Sequence, residues 1–218
     1  MRQGQPLRGP EPLYLARHAE TVFNRARRMQ GNEAHTPLTR AGIAQAEAMG
    51  AALACHFQST GEPLPQLWSS PAGRARQTAA IIAEHLGIDY FAIRIDPRLR
   101  ELEVGRWVGR DYAEIMAEEG PIIDPEHRLF RMPIPGGEHY RDLARRLAGW
   151  VEEAAGRPAL VISHGMTARV LRGLLVGGRI YEGVPVAEDV PQGSIVRLAS
   201  KAETLLLAGA GAGGPPSA

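Results

Sequence analysis

The chain has 218 residues, of which 44% are hydrophobic and 22% are charged, and its formal net charge at pH 7 is +1. This length and composition fit one soluble globular domain, and the near-zero charge excludes a global field that would recruit nucleic acid or an acidic membrane surface. Residues 1–11 contain no apolar stretch, and nowhere do about 18 apolar residues run together, so we expect a cytoplasmic protein without a membrane partner.

One cysteine, Cys55, is present, which excludes an internal disulfide framework and fits a reducing compartment. Residues 58–61 offer no arginine that would pair with the phosphate of a cysteine phosphatase. We therefore interpret Cys55 as a thiol packed on a helix.

Both ends of the chain are rich in glycine, proline and polar residues. They predict flexible tails at 1–11 and 209–218 around a single domain at 12–208. Residues 209–214 formally match the dinucleotide fingerprint G-x-G-x-x-G. Because two prolines follow, the segment lacks the helix N-terminus that would receive a pyrophosphate, and we do not interpret it as a nucleotide site.

Strand-like apolar runs alternate with helical patterns along the domain. Strands are predicted at residues 12–16, 67–69, 159–162, 194–199 and 203–208. Helix starts are predicted at Thr39, at Ser70-Pro71, at Asp111, at Glu138 and after His164. The alternation predicts an α/β fold with a mostly parallel central sheet, helices on both faces and a terminal hairpin.

Two of the apolar runs end in a histidine, at His18 and at His164. Because the carboxyl ends of parallel strands form the ligand crevice of an open α/β sheet, we expect the two imidazoles to converge there. Arg17, beside His18, repels a metal cation and attracts an anion, most naturally a phosphate. Arg74, in the first turn of a predicted helix, is a second guanidinium for the same anion.

These residue types suit a phosphoryl transfer without a metal ion. Arg17, Arg74 and His164 are predicted to hold the equatorial oxygens of the transferred group. His18 then attacks phosphorus through a neutral ring nitrogen and forms a phosphohistidine. Glu101 is the candidate proton donor to the leaving alcohol and the base for the attacking water, and a nearby phosphate favours its protonated form.

The same residues allow other interpretations. A zinc site built from the two strand-end histidines and Glu101 is one, although Arg17 would oppose a cation. The carboxylates that compete with Glu101 by spacing are Glu103 and Glu118. The histidines interpreted as surface or packing residues are His35, His56, His85, His127 and His139.

Ordered motifs from Leu13 to Leu198 resemble the histidine phosphatase superfamily, in its phosphoglycerate mutase-like branch. These motifs are Arg17-His18-Ala19-Glu20, Pro37-Leu38-Thr39-Arg40-Ala41-Gly42, Ser69-Ser70 through Arg74, Glu101 with Gly105-Arg106-Trp107-Val108-Gly109, Pro135-Gly136-Gly137-Glu138, and Ser163-His164-Gly165. Each fragment is weak alone, whereas the ordered set is specific.

The resemblance implies that His18 is the phosphorylated nucleophile and that Glu101 is the proton donor. It implies that the residues contacting phosphate are Arg17, Asn24, Arg74, His164 and Gly165. Two positions depart from the family pattern. Ala19 replaces the usual glycine, which is harmless only if alanine can adopt the backbone conformation needed there. His35 stands near where relatives often carry an aspartate, and neither departure removes a catalytic group.

Hydrolysis and mutase chemistry are the two main functions within this family. By this resemblance, mutases of the family are longer chains with an extra basic, proline-rich segment after the acid. The cations between Glu101 and Pro135 here are few, chiefly Arg106, Arg110, Arg128 and Arg131. We therefore expect a phosphomonoesterase that acts on a small phosphorylated metabolite without a metal or other cofactor. A mutase, or a protein that binds phosphorylated ligands without turning them over, is the alternative. The sequence leaves the phosphoester open and allows a homo-oligomer.

Overall fold

The structure is a computed structural model that describes residues 6–209. Its helices are α1 (Val22–Arg25), α2 (Arg40–Thr60), α3 (Gly73–Leu86), α4 (Tyr112–Glu119), α5 (Tyr140–Ala154) and α6 (Gly165–Val176). Its strands are β1 (Leu13–Arg17), β2 (Gln66–Ser69), β3 (Arg94–Ile95), β4 (Ala159–Ser163), β5 (Arg179–Tyr181), β6 (Val184–Val186), β7 (Ile195–Ala199) and β8 (Ala202–Leu207). Within residues 6–209, none of the helices combines the length and apolarity needed to cross a membrane.

Six strands form the central sheet in the order β3-β2-β4-β1-β7-β8. The pairings among β3, β2, β4 and β1 are parallel, whereas β7 and β8 are antiparallel at one edge. The predicted mostly parallel sheet and its terminal hairpin are therefore confirmed. β5 and β6 form a separate antiparallel hairpin.

Alternate residues of β1 enter two different hydrophobic cores. Leu13 and Leu15 pack on one face of the sheet with residues of α5 and α6, and Tyr14 and Ala16 pack on the other face with residues of α2 and α3. A strand buried on both faces reads as a continuous apolar run, because successive side chains point to opposite sides. The predicted helical layers on both faces are confirmed.

The helix after β2 starts later than its sequence predicts. Ser70 and Pro71 were expected as the N-cap and first helical position, but α3 begins at Gly73 with Ala72 as its N-cap. The Ser70 hydroxyl lies instead 2.7 Å from Nε2 of His164, a residue 94 positions away. The same hydroxyl accepts the Ala72 N–H at 3.3 Å, so Ser70 combines a local backbone contact ahead of the helix with a long-range contact that the sequence did not predict.

Two other local predictions fail, and two hold. Glu138 does not begin a helix; α5 starts two residues later, and the Glu138 carboxylate binds the guanidinium of Arg146. Cys55 lies in α2 but is exposed, so it is not a packed thiol. Thr39 and Asp111 cap α2 and α4 as predicted, each accepting a backbone N–H with its side-chain oxygen.

Residues 1–5 and 210–218 lie outside the described residues, and with them part of the predicted N-terminal tail, most of the predicted C-terminal tail and most of the G-x-G-x-x-G segment. Within residues 6–11, the Leu7 N–H donates to the Leu174 carbonyl at 2.8 Å, and the Gly9 carbonyl accepts from the Gly156 N–H at 3.1 Å. This part of the predicted N-terminal tail therefore lies against the domain.

Candidate active site

The pairing of β1 with β4 brings the two strand-end histidines together. Their parallel register places Arg17 opposite Ser163, the last residue of each strand. The residue that follows each strand is a histidine. The ring centroids of His18 and His164 lie 5.2 Å apart, and both side chains are buried. The convergence expected from the sequence is present at the carboxyl edge of the sheet.

The hydrogen bonds of His18 determine which ring nitrogen carries its proton. Nε of Arg74 donates to Nε2 at 3.2 Å, and Nδ1 lies 2.8 Å from the carbonyl of Ala19. An arginine has donors only, so Nε2 must present its lone pair and Nδ1 must carry the proton. Burial, and then the charges of Arg74 and Arg17, hold the pKa of His18 well below its ordinary value. His18 is therefore a neutral imidazole with a lone pair on Nε2.

Arg74 is held in place by the loop that follows α1. Its Nη1 donates to the Glu33 carbonyl at 2.7 Å and to the Thr36 hydroxyl at 3.1 Å, and its Nη2 donates to the Gly31 carbonyl at 2.7 Å. Burial lowers the pKa of Arg74 to about 10, against the opposing charge of Glu101. The guanidinium stays charged at neutral pH, so a fixed cation lies beside the nucleophile candidate.

His164 and Arg17 contribute buried nitrogens that lack partners among the described residues. Nδ1 of His164 and both Nε and Nη1 of Arg17 are buried without a hydrogen bond to residues 6–209. A Cβ built at Gly165 would lie 3.3 Å from Cζ of Arg17, so the small residue leaves room for the guanidinium. Unpaired buried polar atoms are costly. The two Arg17 nitrogens are donors, and Nδ1 of His164 is a donor when the Ser70 hydroxyl donates to Nε2, so these atoms are suited to the oxygens of a phosphate.

His164 is neutral in this structure. Burial, followed by the charges of Arg74, His18 and Arg17, holds its pKa well below the ordinary value. A charged imidazolium would stabilise a bound phosphate by its charge. The desolvated, cationic surroundings instead favour an imidazole that donates a single N–H, and a bound phosphate would shift the balance toward the charged form.

Glu101 lies at the N-terminus of α6, next to His164. Its Oε1 accepts from the backbone N–H groups of Leu102 at 2.9 Å and Thr167 at 3.0 Å, and its Oε2 accepts from the Met166 N–H at 3.2 Å. The helix N-terminus thus orients this carboxylate by direct hydrogen bonds. Glu101 belongs to the same cluster as the strand-end residues.

The two competing carboxylates have other surroundings. Glu103 accepts a hydrogen bond from Nδ2 of Asn32 at 2.8 Å. Glu118 is exposed and forms an ion pair with Arg110 at 2.6 Å. Of the three carboxylates, Glu101 is the one whose oxygens contact the residues following His164.

Asn24 is connected to the nucleophile candidate through Gln192. Nε2 of Gln192 donates to Oδ1 of Asn24 at 3.0 Å and to the carbonyl of His18 at 3.1 Å. Oδ1 of Asn24 also accepts from the Thr21 N–H, so the donors on Nδ2 are the part of the amide that these bonds leave available for a ligand. No sequence signal identified Gln192, which lies 174 residues from His18. Ser70 was found in the right motif but given a helix-capping role.

Alanine is tolerated at position 19. Ala19 does not have a positive φ, and its N–H donates to the Thr78 hydroxyl at 3.1 Å. The conformational freedom of glycine is therefore not required here.

The remaining histidines pair with carboxylates or are exposed. His56, His85 and His127 pair with Glu62, Glu47 and Asp124, and His35 and His139 are exposed. Across residues 6–209, no three His, Cys, Asp or Glu side chains are grouped so that they could hold a metal ion.

Fold and site together define an α/β protein with a buried cluster of arginine and imidazole side chains, built around two histidines, at the carboxyl edge of its sheet. The chain belongs to the histidine phosphatase superfamily, branch 1, whose family model matches residues 13–207. Members of this superfamily are phosphatases or mutases.

Relatives of both kinds are found. A Yersinia pestis protein named Probable phosphoglycerate mutase GpmB is 36% identical over 180 residues, which cover 76% of this chain and 74% of the relative. A mycobacterial glucosyl-3-phosphoglycerate phosphatase of known structure is 27% identical to this chain. The match covers 93% of this chain and 100% of the relative, with a TM-score of 0.69. A candidate alpha-ribazole-5'-P phosphatase from Escherichia coli is 26% identical, and the match covers 90% of this chain and 94% of the relative, with a TM-score of 0.65.

Proposed function

We propose that the protein is a metal-independent phosphomonoesterase that hydrolyses a small phosphomonoester through a phosphohistidine at Nε2 of His18. The observation that carries this proposal is the 3.2 Å bond from Arg74 to Nε2, which requires a lone pair on that nitrogen. A neutral imidazole with its proton on the opposite nitrogen is the form that attacks phosphorus. The guanidinium that identifies the lone pair is also the group that would hold the incoming phosphoryl oxygens.

In the first step, the phosphate of the substrate binds to Arg17, Arg74 and the Nδ1 side of His164. The Nε–H of Arg74 then donates its hydrogen bond to a phosphoryl oxygen and no longer to His18. This change of partner frees the lone pair on Nε2. A nitrogen–phosphorus bond forms as the ester oxygen–phosphorus bond breaks. Protonated Glu101 gives its proton to the departing alkoxide, so the alcohol leaves neutral.

In the second step, water attacks the phosphohistidine. The Glu101 carboxylate takes a proton from this water, and the nitrogen–phosphorus bond breaks. Inorganic phosphate leaves, and the lone pair returns to Nε2 of His18. Backbone N–H groups at the N-terminus of α6 hold the Glu101 carboxylate in place for this proton transfer. One carboxyl group thus serves first as acid and then as base.

The segment between Glu101 and Pro135 supports hydrolysis over mutase chemistry. Among its cations, Arg106 forms an ion pair with Glu119 at 3.1 Å and Arg110 forms one with Glu118 at 2.6 Å. A mutase must hold a bisphosphate, and cations already neutralised by carboxylates are poorly suited to a second phosphate.

The test is hydrolysis of p-nitrophenyl phosphate with EDTA present, in the wild type and in His18→Ala. We expect activity that persists in the chelator and disappears in the variant. Activity that requires added zinc would falsify the phosphohistidine route. No turnover with any phosphomonoester, combined with saturable phosphate binding, would identify a binding protein instead.

The 36% identical relative named as a mutase makes phosphoglycerate mutase chemistry the second candidate. It is tested by incubating the protein with 3-phosphoglycerate in the presence and absence of its bisphosphate. We expect phosphate release to be the faster reaction. Interconversion of phosphoglycerates faster than phosphate release would establish the mutase.

A further inference from the structure

A largely buried ion pair lies beneath the loop that carries Glu101. Nε and Nη2 of Arg146 donate to the two carboxylate oxygens of Glu138 at 2.8 and 2.9 Å, and the side chains of this pair are only 10% and 9% exposed. Fork-to-fork pairing of this kind fixes the orientation of the guanidinium as well as its position. Sequence patterns assigned neither residue a role in the chemistry.

The rest of the Arg146 guanidinium is bound to main-chain carbonyls of one short segment. Nη1 donates to the carbonyls of Arg98 and Arg100, the latter at 2.8 Å, and Nη2 donates to the carbonyl of Glu101 at 3.0 Å. The carbonyl between them, that of Leu99, accepts from the Ser163 hydroxyl at 2.9 Å. Four consecutive carbonyls are therefore held by side chains.

The opposite side of this segment contacts the N-terminus of α6. The Thr167 hydroxyl donates to the Arg100 carbonyl at 2.7 Å, and the Thr167 N–H donates to the Glu101 carboxylate. The main chain of Glu101 is thus anchored by Arg146 on α5, while its side chain is anchored by α6. Both anchors are needed to place a carboxyl group at one point relative to a bound ester.

We propose that Arg146, held by Glu138, is a positioning residue that sets the placement of the Glu101 carboxyl group against the leaving oxygen. This inference rests on the proposed function, in which Glu101 protonates the alcohol. Arg146 itself does not touch the reacting atoms in this assignment. Its effect passes through the backbone of residues 98–101.

Leaving-group dependence separates a positioning role from a purely structural one. An alkyl phosphate such as glycerol phosphate releases a basic alkoxide that needs a proton from Glu101, whereas p-nitrophenyl phosphate releases a stable anion. A misplaced acid should therefore slow the first substrate far more than the second. Loss of folded protein would slow both substrates by the same factor.

The experiment compares kcat/KM for the two substrates in wild type, Arg146→Met, Arg146→Lys and Glu138→Gln, because kcat/KM reports the step in which the leaving group departs. We expect Arg146→Met to lower kcat/KM about 100-fold for glycerol phosphate and only about threefold for p-nitrophenyl phosphate. The lysine of Arg146→Lys cannot bind Glu138 and three carbonyls together. We therefore expect kcat/KM for glycerol phosphate again to fall more than kcat/KM for p-nitrophenyl phosphate, with smaller losses than in Arg146→Met. If the methionine variant does not fold, Arg146→Lys and Glu138→Gln carry the test.

The matched control is Arg145→Met on the same helix, because Arg145 is 74% exposed and forms its ion pair with Asp142, away from the main chain of residues 98–101. We expect its ratio of the two kcat/KM values to equal that of the wild type. Equal losses on both substrates in the Arg146 variants, or no loss, would overturn the proposal.

Glu101→Gln, measured with the same two substrates, distinguishes this outcome from a failure of the proposed function. If Glu101→Gln shows the leaving-group selectivity and the Arg146 variants do not, only the positioning role is wrong. If Glu101→Gln lacks the selectivity, Glu101 is not the acid and the proposed function itself must change.

Discussion

The Nε–H of Arg74 donates to Nε2 of His18 across 3.2 Å, and both side chains are buried. This contact places a permanent positive charge beside the nitrogen proposed to attack phosphorus. It lowers the pKa of His18, second only to the effect of burial. The imidazole consequently stays neutral at pH values where an ordinary histidine would be protonated.

The first prediction concerns Arg74→Met. We expect kcat/KM for p-nitrophenyl phosphate to fall by about 100-fold, because a buried donor to the phosphoryl oxygens is lost. We also expect the acid limb of the kcat/KM profile to move to higher pH, since removing the cation raises the pKa of His18. Arg76→Met is the control, because Arg76 lies on the same helix but is exposed. An acid limb that stays in place would show that Arg74 does not tune His18.

A second prediction follows for stability against pH. The folded-state pKa values of His18 and His164 are depressed below the ordinary value of 6.5, mainly by burial. As the pH falls below that value, the unfolded chain binds protons that the folded chain does not, so the free energy of unfolding decreases. Urea midpoints at about pH 7.5 and about pH 5.5 measure this loss. We expect the His18→Gln/His164→Gln double variant to lose less over this interval, and an equal loss would contradict the assignment.

The third prediction concerns the fate of the phosphohistidine in Glu101→Gln. With p-nitrophenyl phosphate the first step needs little acid assistance, whereas the second step still needs a base for water. We expect phosphate covalently bound to protein to accumulate during turnover, together with a burst of p-nitrophenol. Glu118→Gln removes an exposed carboxylate and should neither accumulate phosphoprotein nor produce a burst. Accumulation in Glu103→Gln but not in Glu101→Gln would reassign the base.

Gly165→Ala supplies the fourth prediction. The added methyl group would lie 3.3 Å from Cζ and 3.5 Å from Nε of Arg17, so the guanidinium must move by a few tenths of an ångström. We expect vanadate, which mimics the transferred phosphoryl group, to inhibit this variant about tenfold more weakly. Gly149→Ala is the control, since its nearest neighbour would be Nη1 of Arg98 at 4.0 Å. Unchanged inhibition in Gly165→Ala would show that Arg17 does not bind the anion where we place it.

Local patterns in the sequence were sufficient to predict five of the six strands of the central sheet, including the terminal hairpin and the two strands that a histidine follows. The two-residue edge strand β3 was not predicted. Runs such as Leu13–Arg17 and Ala159–Ser163 are buried on both faces, so their apolar character is visible without knowledge of their neighbours. The ordered motifs were sufficient for the family. The caps at Thr39 and Asp111 were also readable, because each involves a hydrogen bond within three residues.

Only the tertiary structure decided which partners the polar side chains take. Ser70 and Glu138 have good local capping chemistry, yet Ser70 contacts His164 and Glu138 pairs with Arg146. The roles of Gln192 and Arg146 likewise depend on contacts across 174 and 45 to 48 positions of the chain.

The sequence by itself determined that imidazoles and guanidiniums stand at the ends of buried strands, because that placement follows from the periodicity of side chains along the chain. The protonation of those imidazoles was decided by the fold alone. The β1–β4 register brings His18 and His164 within 5.2 Å of each other, and burial beside Arg74 keeps both rings neutral. Desolvation and the distance between charges exist only once the chain is packed, so no local pattern contains them.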